Sequence, residues 1–222
     1  MRTCWLTRTG QPSCLLFFAG WGMDPAPFRP LAPPEGHDLL LFYDYRELAE
    51  PDPAALLPRG YQRLSLLAWS MGVWVAGHVL ADCHHRFSAA VAVNGTLRPI
   101  DDRAGIPVQA YASMLATFSP RTLLDFYASM FGDQAGLQRF LANRPQRPAE
   151  EVRAELAALR AHYLAHGPAV DIYSRRLVGS RDRVFAARAQ VRSWGRERCR
   201  TFQSPHFPFY DLSWDDLLRE EE

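Results

Sequence analysis

The sequence predicts an α/β fold in which a mostly parallel sheet is flanked by helices. Short runs that are apolar at successive positions recur between turn-forming residues. Such runs are typical of strands covered on both faces. A helical pattern at residues 73–82 separates two of the runs, as in a βαβ unit. The predicted strands cover residues 14–18, 38–43, 64–69, 89–93, 172–178 and 200–203.

The pattern becomes helical between residues 97 and 168. Apolar residues recur there with a period near 3.6 in the stretches RTLLDFYASMFG, QAGLQRFLANR and AEEVRAELAALRAHYLAHG. The last stretch has acidic residues just after a proline at its start and a Gly-Pro pair at its end, which are helix start and stop signals. Because strand character then returns, we expect a helical lid at 97–168 inserted into a core formed by 1–96 and 169–222.

Composition excludes several classes of protein. Hydrophobic residues make up 48% of the chain and charged residues 22%, and the formal net charge is +1. This balance gives no overall field for nucleic acid, and no apolar run reaches the length of a membrane span. The cysteines show no CxxC spacing, and the pair His162 and His166 lacks the glutamate of an HExxH motif. We therefore expect a cytoplasmic monomer that binds no metal, nucleic acid or membrane.

A serine follows the third predicted strand in the sequence AWSMG. Ser70 is placed like the nucleophile of a G-x-S-x-G elbow, with Ala68 at the first glycine position and Gly72 at the second. Small residues are needed at both positions because the turn brings strand and helix backbones close together. A helix N-cap is the alternative. The position between a strand and a helix favours the nucleophile.

A serine nucleophile needs a base and a carboxylate that orients the base. In α/β-hydrolases these follow the serine in the order acid, histidine, each on a loop after a late strand. The loop GSRDRVF offers Asp182, and the loop SPHFPF offers His206. The alternatives are a salt bridge of Asp182 with a neighbouring arginine and an ordinary surface histidine.

The reaction also needs two N–H donors for the oxyanion. The residue after the nucleophile, Met71, supplies one by position. The sequence FFAGWGMD places Trp21 in a glycine-rich turn after the first predicted strand, where its N–H can face the serine. The alternative for Trp21 is a core tryptophan beside a tight turn.

Five ordered motifs extend this interpretation to a family. The stretches FFAGWGMD, LLLFYDYREL, LLAWSMGVWVA, AVNGTLRPIDDRAGIP and GSRDRVF resemble the BioG-type pimeloyl-[acyl-carrier protein] methyl ester esterases of biotin synthesis, along nearly the whole chain. That family is a divergent branch of the α/β-hydrolases. The resemblance implies a catalytic triad of Ser70, Asp182 and His206.

The resemblance also implies the reaction. The substrate would be a pimeloyl chain that is methyl-esterified at its far end and linked by a thioester to acyl-carrier protein, and no cofactor would be needed. The same triad would serve a short-chain carboxylesterase or an acyl-carrier-protein thioesterase, so these remain alternatives. A non-catalytic binding protein of this fold would have lost a triad residue, and none is missing.

The helical insertion carries the candidate contacts to the carrier protein. Arginine forks suit the carboxylates and the phosphopantetheine phosphate of an acidic carrier, although an ordinary charged helical surface is the alternative. The candidate arginines are Arg121, Arg139, Arg144, Arg147, Arg153 and Arg160. Aromatic residues of the insertion either line an acyl tunnel or pack beneath the helices, and these are Phe126, Tyr127, Phe131 and Phe140.

Overall fold

Residues 1–48 and 53–219, which the computed structural model describes, are built around a seven-stranded β-sheet. Its order is β1-β3-β2-β4-β5-β6-β7. The edge strand β1 is antiparallel to β3, and the other neighbouring strands are parallel. This confirms the predicted mostly parallel sheet. The strands are β1 (Arg2–Thr7), β2 (Ser13–Phe18), β3 (His37–Tyr43), β4 (Arg63–Trp69), β5 (Phe87–Val93), β6 (Arg175–Gly179) and β7 (Arg200–Phe202).

Helices cover the sheet. One helix joins β4 to β5, and four α-helices lie between β5 and β6. Within the described ranges, no helix combines the length and the apolar character that crossing a membrane requires. The α-helices are α1 (Met71–Val79), α2 (Val108–Ala116), α3 (Pro120–Ser129), α4 (Gln134–Ala142), α5 (Ala149–His166), α6 (Ala187–Trp194) and α7 (Trp214–Leu218). Short 3₁₀ helices occur at Pro53–Leu56, Ala81–Arg86 and Arg196–Arg198.

Apolar residues on both faces of the sheet form two cores, as expected for buried parallel strands. On β2, Leu16 and Phe18 face the first core, and Leu15 and Phe17 face the second. Side chains of α1, α2 and α5 complete the first core. Side chains of α3 and α4 complete the second, with aromatic residues that follow β7. The helices between β5 and β6 therefore pack against both faces of the sheet.

Several elements differ from the sequence prediction, and helices α2, α6 and α7 were not predicted individually. Strand β1 was not expected, because its partly exposed sequence RTCWLT lacks the apolar run that marks a central strand. Strand β6 begins at Arg175 and not at 172. The apolar residues Ile172 and Tyr173 are buried in the loop before it, so their apolar character does not mark the strand. The helix expected at 73–82 begins two residues earlier and ends at Val79, where a 3₁₀ helix follows.

Candidate active site

Ser70 lies between the carboxyl end of β4 and the first residue of α1. Its φ of 59° and ψ of −128° lie in a region that residues with a side chain rarely adopt. The Ser70 side chain makes no capping hydrogen bond to the helix. Its backbone N–H donates to the Val93 carbonyl at 3.0 Å, which ties the turn to β5. The structure thus favours a strained strand-to-helix turn over the N-cap alternative.

The small residues around Ser70 allow three segments to meet. A Cβ atom on Gly72 would collide with the carbonyl oxygens of Phe18 and Ala19 at the end of β2. A Cβ on Gly20 would lie 3.0 Å from the Ser70 Cβ. The start of α1 and the turn after β2 therefore both approach the serine as closely as their backbones permit.

Three side chains from distant parts of the sequence form one hydrogen-bonded line. His206 Nε2 lies 3.0 Å from Ser70 Oγ, and His206 Nδ1 lies 2.9 Å from Asp182 Oδ2. All three residues are buried. With its proton on Nδ1, the imidazole donates to Asp182 and accepts from the Ser70 hydroxyl. A general base needs this arrangement to take a proton from a serine.

Backbone and side-chain donors hold Asp182 in place. Its Oδ1 accepts the N–H groups of Val184 and Phe185 at 2.8 and 2.9 Å. Its Oδ2 accepts the amide Nε2 of Gln190 at 2.9 Å, in addition to the imidazole. Within the described residues its ion-pair partner is His206 and not a neighbouring arginine. Three donors besides the imidazole thus hold the carboxylate in position to accept from His206.

Two further side chains hold the loop that carries His206. The His206 carbonyl oxygen accepts Trp69 Nε1 at 2.7 Å and Asn94 Nδ2 at 2.9 Å. Asn94 Oδ1 also accepts the Gly179 N–H at 2.6 Å, at the end of β6. Sequence reasoning did not select Asn94 as a functional residue. Its position as a polar residue directly after the parallel strand β5 was the available signal.

The two predicted oxyanion donors border the same cavity as the serine. Met71 is the first residue of α1, so its N–H has no partner within the helix. The Trp21 indole is buried and donates to the Val152 carbonyl at 2.8 Å. The Trp21 side chain is therefore a core residue, and donation by its backbone N–H stays a prediction.

An apolar cavity of about 170 Å³ opens beside Ser70. The turn after β2 and the start of α1 form its base through Trp21 and Met71, and Arg183 is a charged residue in its wall. Over the described part of the chain, no cluster of three potential ligands is arranged to hold a metal ion. Segment 97–168 contributes seven lining residues, Ile106, Ala110, Tyr111, Met114, Phe126, Ser129 and Leu156.

The aromatic residues of the insertion have different positions. Phe126 lines the cavity and packs on Trp21 with 4.9 Å between ring centroids. Tyr127 and Phe131 lie in the second core, where both pack on Phe140. Of the two alternatives for Tyr127 and Phe131, the structure shows packing, since both side chains lie in the second core and neither lines this cavity.

The candidate docking arginines also divide into two groups. The Arg147 side chain is only 4% exposed, and it forms ion pairs with Asp44 and Glu155. Its expected role at the surface is therefore wrong, because its charge is neutralised inside the protein. The exposed candidates are Arg121, Arg139, Arg144, Arg153 and Arg160.

Residues 1–215 match a family model. The model described as pimeloyl-ACP methyl esterase BioG covers residues 1–215. The chain belongs to the BioG family. A crystal structure of BioG from Haemophilus influenzae is similar to this chain with a TM-score of 0.86 and 35% identity, and the match covers 99% of this chain and 100% of that one.

A longer relative of this BioG family member bears another name. The malonyl-[acyl-carrier protein] O-methyltransferase of Bacteroides fragilis is 38% identical over 210 residues. The match covers 95% of this chain but only 41% of that protein. The chain thus spans less than half the length of that relative.

More distant structures show the fold alone. The enol-lactonase of Burkholderia xenovorans is 14% identical with a TM-score of 0.61, and the match covers 95% of this chain and 90% of that one. The mostly parallel sheet flanked by helices is that of the α/β-hydrolases. The BioG family and the α/β-hydrolase fold together point to a hydrolase.

Proposed function

We propose that this protein is a serine esterase that hydrolyses the methyl ester of pimeloyl-[acyl-carrier protein] in biotin synthesis. The products are methanol and pimeloyl-[acyl-carrier protein] with a free carboxylate. The observation that carries the proposal is the hydrogen-bonded line of Ser70, His206 and Asp182 at the base of an apolar cavity. Membership of the BioG family supports the choice of substrate.

In the first half of the proposed reaction the serine is acylated. His206 Nε2 takes the proton of Ser70 as the serine oxygen attacks the ester carbonyl. The N–H groups of Met71 and Trp21 receive the negative charge on the carbonyl oxygen. Collapse of the tetrahedral intermediate breaks the bond to the methoxy oxygen, which takes the proton from His206 and leaves as methanol. Asp182 stabilises the imidazolium during this step.

In the second half a water molecule releases the acyl chain. His206 accepts a proton from the water as its oxygen attacks the acyl-serine carbonyl. The second intermediate collapses with return of the proton to Ser70 Oγ. The chain leaves as a carboxylate, and its thioester to the carrier protein is never broken.

The cavity suits one end of such a substrate. A dry apolar cavity of about 150 Å³ accommodates benzene, so 170 Å³ beside Ser70 can hold the methyl ester and a few methylenes. The remaining chain and the carrier lie outside. We propose that segment 97–168 acts as the lid, since it supplies seven of the twelve residues that line the cavity.

The name of the Bacteroides fragilis relative is consistent with this substrate class. An O-methyltransferase acting on a malonyl carboxylate produces a methyl ester on a carrier-linked chain. An esterase acting later would remove that methyl group and restore the carboxylate. More than half of the B. fragilis protein lies outside the matched part, so its name does not assign methyl transfer to this chain.

Mass spectrometry of the carrier-linked methyl ester tests the proposed reaction. After incubation with the enzyme, we expect the acyl-carrier protein to lose the mass of one CH₂ group, and methanol to appear in equal amount. Loss of the whole acyl group would identify a thioesterase. Hydrolysis of small esters with no change in the carrier-linked ester would identify a general carboxylesterase. A gain of one CH₂ on malonyl-carrier protein with a methyl donor would identify a methyltransferase.

We also propose that exposed arginines of the insertion bind the acidic carrier protein. Arg153 and Arg160 are seven residues apart on α5, which places them on one face of the helix. Both are exposed, and each guanidinium can donate two charge-assisted hydrogen bonds to a carboxylate of a partner. Arg147 is not part of this surface, because its side chain is buried and forms ion pairs with Asp44 and Glu155.

Reversal of both charges with Arg153→Glu and Arg160→Glu should lower kcat/KM for the carrier-linked ester by about tenfold. The kcat/KM for a small soluble methyl ester should change by less than about twofold. The matched control is Arg59→Glu with Arg86→Glu, because these exposed arginines lie near the amino ends of β4 and β5, opposite Ser70. Equal losses on both substrates, or an equal effect of the control pair, would reject this docking surface.

A further inference from the structure

A fully buried carboxylate that the proposed reaction does not use lies close to the cavity. Glu155 on α5 is 0% exposed. Its Oε1 accepts the Tyr45 N–H at 3.0 Å, and its Oε2 accepts the Gly22 N–H at 3.1 Å. Arg147 Nη1 lies 2.5 Å from the same Oε2. Burying a charged pair costs free energy that only such additional hydrogen bonds offset.

The segment held by Glu155 is the turn after β2. Several bonds anchor this turn, and three of them involve Tyr45 or α5. The Tyr45 hydroxyl donates to the Ala19 carbonyl at 2.8 Å, the Trp21 indole donates to the Val152 carbonyl at 2.8 Å, and the Gly22 N–H donates to Glu155. Two of the acceptors belong to α5. Helix α5 thus holds the turn through two bonds.

We propose that Glu155 is a positioning residue that, with Arg147, sets the Trp21 N–H for the oxyanion. The proposal rests on the proposed function. A displacement near 1 Å of a group in the site can cost about 10²-fold in rate. Gly22 follows Trp21 directly, so the bond from its N–H to Glu155 fixes the peptide next to the proposed donor.

The ionised carboxylate is required because every group facing it is a donor. Tyr45 and Gly22 each present an N–H, and Arg147 presents a guanidinium. A carboxylate accepts from all three. A glutamine would have one oxygen and one NH₂ group, and that NH₂ would face a donor and leave it unsatisfied. Burial raises the pKa of Glu155, while the Arg147 guanidinium opposes this shift.

Glu155→Gln tests the proposal, with Glu150→Gln as the matched control. Glu150 lies in the first turn of the same helix, but it is exposed, whereas Glu155 is buried. For the carrier-linked ester we expect Glu155→Gln to lower kcat by about 10- to 100-fold. KM should stay within about twofold, as expected when an interaction made only in the transition state is lost. The control should leave both values unchanged.

Inhibition by a trifluoromethyl ketone that carries the acyl chain distinguishes a misplaced oxyanion donor from a general loss of protein stability. The ketone adds to the serine and places an oxyanion where the ester would. Its inhibition constant should rise by the same factor as kcat falls, whereas binding of the corresponding ether, which forms no oxyanion, should not change. If Glu155→Gln does not fold, Glu155→Asp keeps the charge but shortens the reach to Gly22, and the same result is expected.

Folded Gln or Asp variants with the parent's kcat and ketone inhibition would overturn the positioning role. The Ser70→Ala variant distinguishes this outcome from failure of the proposed function. If Ser70→Ala stays active, the serine mechanism itself is wrong. If Ser70→Ala is inactive while the Glu155 variants are unaffected, only the role of Glu155 is wrong.

Discussion

Ser70→Ala is expected to lower kcat for the methyl ester of pimeloyl-[acyl-carrier protein] by about 10⁴- to 10⁶-fold. The hydroxyl at this position is the group bonded to His206 Nε2, and alanine leaves no nucleophile there. The fold should be retained, because alanine preserves the Cβ and the serine side chain makes no bond to the helix backbone. Single-turnover mass spectrometry measures the loss, and circular dichroism checks the fold.

Ser129→Ala is the matched control for this variant. Ser129 lines the same cavity, but its hydroxyl donates to the Phe126 carbonyl at 2.7 Å. Its removal should change kcat by less than about threefold, because this hydroxyl bonds within its own helix and contacts none of the three residues of the hydrogen-bonded line. Activity of Ser70→Ala near that of the control would remove the basis for a serine mechanism.

Gly72→Ala is expected to destabilise the fold strongly, because the space beside the site is already filled by backbone. The added methyl group would meet the carbonyl oxygens of Phe18 and Ala19, and both belong to the backbone, so no side chain can move aside. We expect a loss of about 3 kcal/mol in the free energy of unfolding. For a protein of this length the melting temperature should fall by about 6–12 °C, measured by calorimetry.

Gly132→Ala provides the comparison for Gly72→Ala. A Cβ on Gly132 meets no atom within 4 Å. Alanine at such a site is expected to raise stability by up to about 1 kcal/mol, because it restricts the unfolded chain. If both variants melted at the same temperature, close contact between α1 and the end of β2 would not be what requires a small residue at position 72.

The turn at Ser70 and the order of the side chains bonded to it could be predicted from the sequence because each depends on local features. The apolar run before Ser70, the helical pattern after it and the small residues Ala68 and Gly72 all lie within one stretch. Asp182 and His206 follow late apolar runs, and the carboxyl ends of parallel strands meet at one edge of a sheet. Local pattern and topology together therefore brought these residues to one place.

The supporting residues could not be predicted because their roles depend on distant partners. Asn94 bonds to residues more than 80 positions away, and Glu155 bonds to Gly22 and Tyr45 across more than 100 positions. In the sequence, Glu155 is one of several acidic residues on a helix. Arg147 was misassigned for the same reason, since burial of its side chain depends on Asp44 and Glu155.

For the helices between β5 and β6, the sequence predicted where a helix lies but not which way its side chains face. Periodicity located α3, but it could not decide which partner the apolar face of that helix meets. Phe126 and Tyr127 are adjacent in sequence, yet one lines the cavity and the other packs in the second core. The direction of a side chain on an inserted helix depends on how the helix is tilted over the sheet, and sequence spacing alone does not contain that information.

The two hydrogen bonds to the His206 carbonyl oppose movement of the loop that carries this histidine. Trp69, which donates one of them, directly precedes Ser70, so imidazole and hydroxyl are coupled through one rigid strand end. Swinging the histidine loop outward would leave buried donors on Trp69 and Asn94 unpaired, at a cost of about 1–3 kcal/mol each. Met114 and Phe126 line the same cavity with apolar side chains, so a displacement on their side would break no hydrogen bond of this kind.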